Sequence, residues 1–241
     1  MQTSLYVALS GQLALDRRLA AIANNVANAG TVGYRAQGVH FESLVDRHSP
    51  RPTAFAAVGR EFAVDRAGGL NKTGNPLDVA VMGGGYLAIQ TPAGTAYTRD
   101  GRMQLLDTGE LLTLAGHPVL DAGNAPIVLD PAAGPVDINR DGMISQHGKA
   151  AAAIGLFNID PTKPFQRYEN SALIPSSAGS PILSFQSDGL VQGFVEESNV
   201  NGVSEMTKLI AVTRAFEGVT SAIEDSNASL KEAIQTLASR A

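Results

Sequence analysis

Cysteine is absent from all 241 residues, which removes disulfide staples, thiol nucleophiles and thiolate metal sites. An oxidising compartment, where stray pairing would be harmful, is compatible with that composition. Tryptophan is missing as well, and aromatic residues make up only 5% of the chain, so a large aromatic-walled ligand pocket is not expected. Charge of one sign is scarce too: 18 basic residues stand against 23 acidic ones, a net −5, with no block of either. Such a surface offers no groove for a polyanion, which disfavours nucleic acid as a partner. No apolar run approaches the roughly 20 residues of a membrane span. Arg17-Arg18, followed by Leu19-Ala20-Ala21-Ile22 and ending at Ala27-Asn28-Ala29, imitates a twin-arginine signal. Asn24 and Asn25 interrupt its apolar segment, and a helical stripe already runs through it.

That stripe is the first positive signal. Across residues 4–29, Leu5, Leu9, Gln12, Asp16, Leu19, Ala23 and Val26 fall at alternating steps of four and three, with Leu13, Leu15 and Ile22 alongside. Thr3 or Ser4 suits the helix start, and Gly30 suits the left-handed residue just past its end. Gln12 and Asp16 spoil the seam, so this helix is expected to order against a partner. The other terminus carries a longer stripe of Leu209, Val212, Phe216, Val219, Ile223, Ser226, Leu230, Ile234 and Leu237. Val203 and Met206 extend it backwards and Asn201 caps it, making about 35 residues of heptad-like pattern, more than a globular helix usually carries. Thr213, Gly218, Thr220 and Ser221 weaken its propensity, so a lone C-terminal helix should fray unless it packs on the N-terminal helix or on neighbouring subunits.

Between the two helices the period changes. Leu77–Val81, Tyr86–Gln90 and Thr95–Arg99 alternate, and further strands are expected at Met103–Leu106, Leu111–Leu114, Val119–Leu120, Ile127–Leu129, Val136–Ile138, Ile154–Ile159 and Leu190–Val195. Turn signals such as Asp100-Gly101, Asp107-Thr108-Gly109 and Asp141-Gly142 separate them. From Tyr34 to Asn75 the signal thins, broken at His48–Thr53 and Gly68-Gly69, with short β segments around Val39–Val45 and Phe62–Val64. The expected fold is α+β, with discontinuous terminal helices pairing as a coiled coil around a central antiparallel β-rich domain. The expected domains are helical 1–35 plus 198–241, an extended linker or hairpin 36–75, and a β-rich domain 76–197.

Catalytic and cofactor chemistry find little support. Asp137–Ser145 copies the first nine positions of a calcium loop, but Gly148 stands where the bidentate Glu belongs, and a hairpin turning at Asp141-Gly142 explains the same residues. Gly83-Gly84-Gly85 lacks the Lys-Ser/Thr of a phosphate loop and sits between two strands. His40, His48, His117 and His147 have no partner at ligand spacing, and no nucleophile elbow or carboxylate pair stands out. No metal, cofactor or catalytic residue is therefore expected. The Asn71-Lys72-Thr73 and Asn227-Ala228-Ser229 sequons are of a kind that occurs by chance. Asn24, Asn25 and Asn28 are more telling. Ending a helix accounts for one of them well, and amides spaced over one turn are suited to fixing register between packed helices.

Several of these stretches together resemble the flagellar basal-body rod and hook protein family. Ala23-Asn24-Asn25-Val26-Ala27-Asn28, then Thr31 and Gly33-Tyr34-Arg35, resembles its N-terminal signature; Ser198-Asn199-Val200-Asn201, Glu205-Met206, Ile210 and Arg214-Ala215-Phe216-Glu217 resembles the C-terminal one. Leu77–Val81, Gly85-Tyr86-Leu87, Gln90–Gly94 and Tyr97–Gly101 match the start of its core. Gly218 departs, standing where the family commonly has a larger residue. The opening Ser4-Leu5-Tyr6-Val7-Ala8 and the length look most like the proximal-rod branch, with the distal rod as the nearer alternative and a secreted β-domain binding module as the farther one. The resemblance implies a non-enzymatic subunit of the periplasmic rod that transmits torque, with paired terminal helices inside and the β domain outside. It implies as partners copies of itself, other rod subunits and the flagellar type III export apparatus. The assembly interface it implies comprises Leu5, Leu9, Leu19, Asn24, Asn25, Val26, Asn28, Gly33, Tyr34, Ser198, Asn199, Val200, Asn201, Met206, Leu209, Phe216, Val219, Ile223, Leu230, Ile234 and Leu237.

Overall fold

A helix stands at each end of the chain and a largely antiparallel β-rich region lies between them. The computed structural model describes residues 2–46 and 53–238. Helix α1 spans Gln2–Ala27 and α2 spans Gly202–Ala238, so both terminal stripes do form helices. Asn201 caps α2, its Oδ1 accepting Ser204 N–H at 3.0 Å. The chain groups into two compact units. One comprises residues 1–26, 37–61 and 201–241; the other comprises 27–36 and 62–200.

In the first unit, β1 (Gln37–Asp46) and β2 (Thr53–Ala63, whose last two residues belong to the second unit) pair as a two-stranded ribbon. These strands are longer than the short segments expected from the sequence. The pattern was weak there because Phe41 through Val45 are all exposed, so neither face of β1 alternates apolar with polar. Ser10 Oγ of α1 accepts the Ala56 N–H of β2 at 3.1 Å.

The second unit holds β3 (Leu70–Lys72), β4 (Val79–Met82), β5 (Tyr86–Thr91), β6 (Gly94–Thr98), β7 (Met103–Leu105), β8 (Leu111–Thr113) and β9 (Val136–Ile138). It continues with β10 (Met143–Gln146), β11 (Lys149–Ala153), β12 (Leu156–Asn158), β13 (Phe165–Tyr168), β14 (Ala172–Pro175), β15 (Ser180–Pro181), β16 (Gly189–Gln192) and β17 (Phe194–Glu196). Its largest sheet runs β13-β14-β6-β5-β12-β15; β11-β10-β9 form a second, and β16-β4, β17-β3 and β7-β8 are pairs. Val119–Leu120 and Ile127–Leu129 do not become strands. They make isolated bridges, Val119 to Ile89, Val128 to Glu110 and Leu120 to Pro126, and the proline at the last has no N–H with which to extend a ladder. The calcium-like stretch is a hairpin in which Gly142 takes φ +84° between β9 and β10.

Besides a small group of Ile89, Ala96 and Ala172, two apolar clusters fill this unit. One gathers Val79, Val81, Leu87, Met103, Leu111 and Ile144. The other gathers Tyr86, Tyr97, Leu120, Phe157 and Leu173, with the Tyr97 and Phe157 rings edge to face at 5.6 Å.

Candidate assembly site

The signature after α1 folds as a tight turn. Thr31 N–H and Thr31 Oγ1 both bond back to Asn28, to its carbonyl and its Oδ1, each at 3.1 Å. Gly33 follows at φ +69°, and a Cβ there would sit 2.2 Å from Asp100 N, so only glycine fits. Its N–H donates to Glu196 O at 2.7 Å. Tyr34 is then fully buried, with the Arg167 guanidinium 4.5 Å over its ring and donating to Arg35 O.

Beside that turn lies a buried ionic triad. Glu196 Oε1 is 2.9 Å from Arg35 NH2 and its Oε2 is 3.0 Å from Arg99 NH1, with all three side chains within 2% of complete burial. Arg35 also donates to the Arg66 carbonyl, Arg99 donates to Val81 O and Gly83 O, and the Arg99 guanidinium stacks 4.9 Å over Tyr86. One carboxylate thus serves two guanidinium groups. Burial, and then repulsion from Arg99, pulls the Arg35 pKa down, against the pull of Glu196. Burial pushes the Tyr86 phenol up, against the pull of both arginines. Asn199 extends the cluster: its Oδ1 accepts Ala36 N–H at 2.7 Å and its Nδ2 donates to Val64 O and Arg66 O.

In the helical unit Asn25 plays a comparable part. Its amide exchanges two bonds with the Gln37 backbone, at 3.0 and 2.7 Å, and its Nδ2 lies 3.2 Å from Glu205 Oε2 in the first turn of α2. Asn25 therefore bonds to the first turn of α2 and to the start of β1. Asn24 faces solvent and Asn28 belongs to the turn. Gln12 Nε2 reaches Thr220 Oγ1 at 3.2 Å, so one of the two residues that spoil the N-terminal seam makes a polar bond between the helices.

The interface residues expected from the sequence thus divide. Asn25, Gly33, Tyr34 and Asn199 are buried within the chain's own fold. Leu5, Leu19, Val26, Asn28, Ser198, Val200, Leu209, Phe216, Val219 and Ile223 are half-buried. Leu9, Asn24, Asn201 and Met206 are exposed. The side chains of Leu230, Ile234 and Leu237 lie outside the described residues. Sequence reasoning passed over Arg99, Arg167 and Glu196 as site residues. Arg99 and Glu196 had as advance signal only their place in or beside the quoted motifs, and Arg167 had none, since their partners lie far along the chain.

Six of the exposed apolar residues fall into two helical stripes. Tyr6, Leu9 and Leu13 line α1, and Val203, Met206 and Ile210 line α2, all at least 46% exposed. Among the described residues no group of three or more metal-ligating side chains occurs, and no helix is long and apolar enough to cross a membrane.

Helices with open apolar stripes at the two ends of the chain, and a β-rich region with its own closed core between them in sequence, define the class of structural subunits built to associate. Three family models match the chain. The one described as "Flagella basal body rod protein" covers residues 5–35, the FlgE/F/G hook-protein D1 domain covers 80–146, and the FlgEFG rod-protein C-terminal region covers 191–236. The chain is 50% identical over 240 residues, the whole of both chains, to a flagellar basal-body rod protein FlgF of Mesorhizobium japonicum. It is 47% identical to one of Rhizobium meliloti over 98% of each chain, and 30% identical to a flagellar basal-body rod protein FlgG of Bacillus subtilis over 97% of this chain and 98% of that one. The chain belongs to the flagellar basal-body rod protein family, and is a structural component of the basal body of the bacterial flagellum.

Proposed function

We infer that this protein is a subunit of the proximal part of the rod, that it polymerises through its terminal helices, and that it transmits torque across the periplasm without catalysing any reaction. The observation that carries this is the pair of stripes on α1 and α2, which leaves large apolar side chains in water at both ends of the chain. The proximal position is favoured over the distal one by the 50% identity to a relative named FlgF against 30% to one named FlgG. In the assembled rod α1 and α2 pair as a coiled coil on the inner side, Asn25 and Gln12 set their register, and the β-rich region faces outward. Partners are copies of the chain and other rod subunits, joined by heterologous contacts that propagate without closing. Delivery runs through the flagellar type III export apparatus, and a chain free of cysteine passes unfolded without forming stray disulfides.

Two substitutions test the reading. Leu9→Asp and Met206→Asp, expressed in place of the parent chain, should abolish rod assembly while the β-rich unit keeps its tyrosine near-ultraviolet signal. Normal rods built from either variant would refute the assembly role of the stripes.

A further inference from the structure

The β-rich unit has an open groove of about 420 Å³ beside the signature turn, with Thr31, Asp100, Arg102, Leu114, Glu169 and Asn170 among its walls. Leu114 is its apolar knob and is 56% exposed. Arg102 is held by Asp100, Nε to Oδ1 at 2.8 Å and NH2 to Oδ2 at 2.6 Å, so these two charges cancel. Glu169 carries the charge left over. Its Oε1 meets His117 Nε2 at 2.9 Å, and its side chain is half exposed. It sits at φ +51° in the turn between β13 and β14, a left-handed conformation that non-glycine residues seldom adopt.

The chain itself carries a surface that matches. Tyr6, Leu9, Leu13 and Arg17 step by three, four and four along α1, and all four are exposed. Val203, Met206, Ile210 and Arg214 repeat that spacing on α2, but Glu217 follows one turn on. Charge separates the two. Helix α1 carries Arg17 and Arg18 against Asp16 alone, whereas α2 carries three cations against five acids. An acidic groove therefore selects α1.

We propose that the groove receives α1 of a second copy of this chain, with Leu114 against the Tyr6–Leu9–Leu13 stripe and Glu169 paired with Arg17. This rests on the reading that the stripes drive assembly, and adds the surface that accepts one of them. Each copy lends its α1 and accepts another's, a head-to-tail contact that continues from subunit to subunit.

The absence of native cysteine allows a direct test by oxidative cross-linking of full-length chains under assembling conditions. Leu13→Cys mixed with Leu114→Cys should give a disulfide-linked dimer several-fold more abundant than Leu13→Cys mixed with Leu183→Cys, an exposed control. Adding Arg17→Glu to the first chain should cut that yield several-fold, and adding Glu169→Arg to the second should restore it. A yield no higher than the control, or one that Arg17→Glu leaves unchanged, overturns the proposal. If Leu114 fails to cross-link while Leu9→Asp still blocks assembly, the groove assignment fails alone. If Leu9→Asp assembles normally, the assembly reading itself fails.

Discussion

The two units solve the same problem in opposite ways. The β-rich unit has a closed apolar core, in which Val79, Leu87, Leu111, Leu156 and Ile144 are shut away from water, and two of its arginines, Arg35 and Arg99, are buried around Glu196. In the helical unit the buried apolar residues are few, chiefly Ala14, Ala21, Ile22 and Val212, while Tyr6, Leu13, Val203 and Ile210 stand in solvent. Closure within one chain gives the β-rich unit its stability. The helical unit leaves its apolar stripes open to water.

The sharpest way to break the comparison is to open the closed unit. Glu196→Gln leaves two buried guanidinium groups without their shared carboxylate and should cost about 3–5 kcal/mol, measured as a lower urea midpoint for the β-rich unit. In the helical unit Asn25→Ala removes the bonds to Gln37 and Glu205 and should cost about 1–3 kcal/mol. That loss should appear as earlier melting of far-ultraviolet helical signal, with the tyrosine signal of the β-rich unit unchanged. Tyr86→Phe should matter less, within about 1 kcal/mol, because its hydroxyl has no hydrogen-bond partner among the described residues.

The Tyr86 substitution has a pH signature. Burial raises the folded pKa of this phenol, so the unfolded chain gives up the proton first, above roughly pH 10. The stabilisation is complete below that value and falls away as pH rises through the folded pKa. Tyr86→Phe should therefore flatten the alkaline limb of a stability profile. The smallest effect on folding belongs to the open stripe. Leu9→Ser or Val203→Ser should shift the stability of the dilute chain by no more than about 0.5 kcal/mol, measured by urea titration, while sedimentation shows association lost.

Much of this contrast was legible in the sequence. Stepped leucines and valines announced both helices, and alternation between glycine turns announced most strands, because each signal depends on neighbours a few residues apart. The ribbon of β1 and β2 was faint for the same reason: with Phe41, Leu44 and Val45 all exposed, it lacks the one-sided pattern that marks a strand. The triad was invisible because Glu196 stands 161 residues from Arg35 and 97 from Arg99, and only folding makes them neighbours. Gly33 and Tyr34 were singled out through resemblance, and the structure supplies a physical reason for each: no room for a Cβ beside Asp100, and a ring sealed beneath Arg167.

Amide hydrogen exchange, compared between dilute monomer and assembled rod, addresses the central contrast most directly. The account predicts that α1 and α2 exchange quickly in the monomer and become strongly protected on assembly, while β4, β5 and β6 are protected equally in both. Terminal helices as slow to exchange in the isolated chain as in the rod would contradict it.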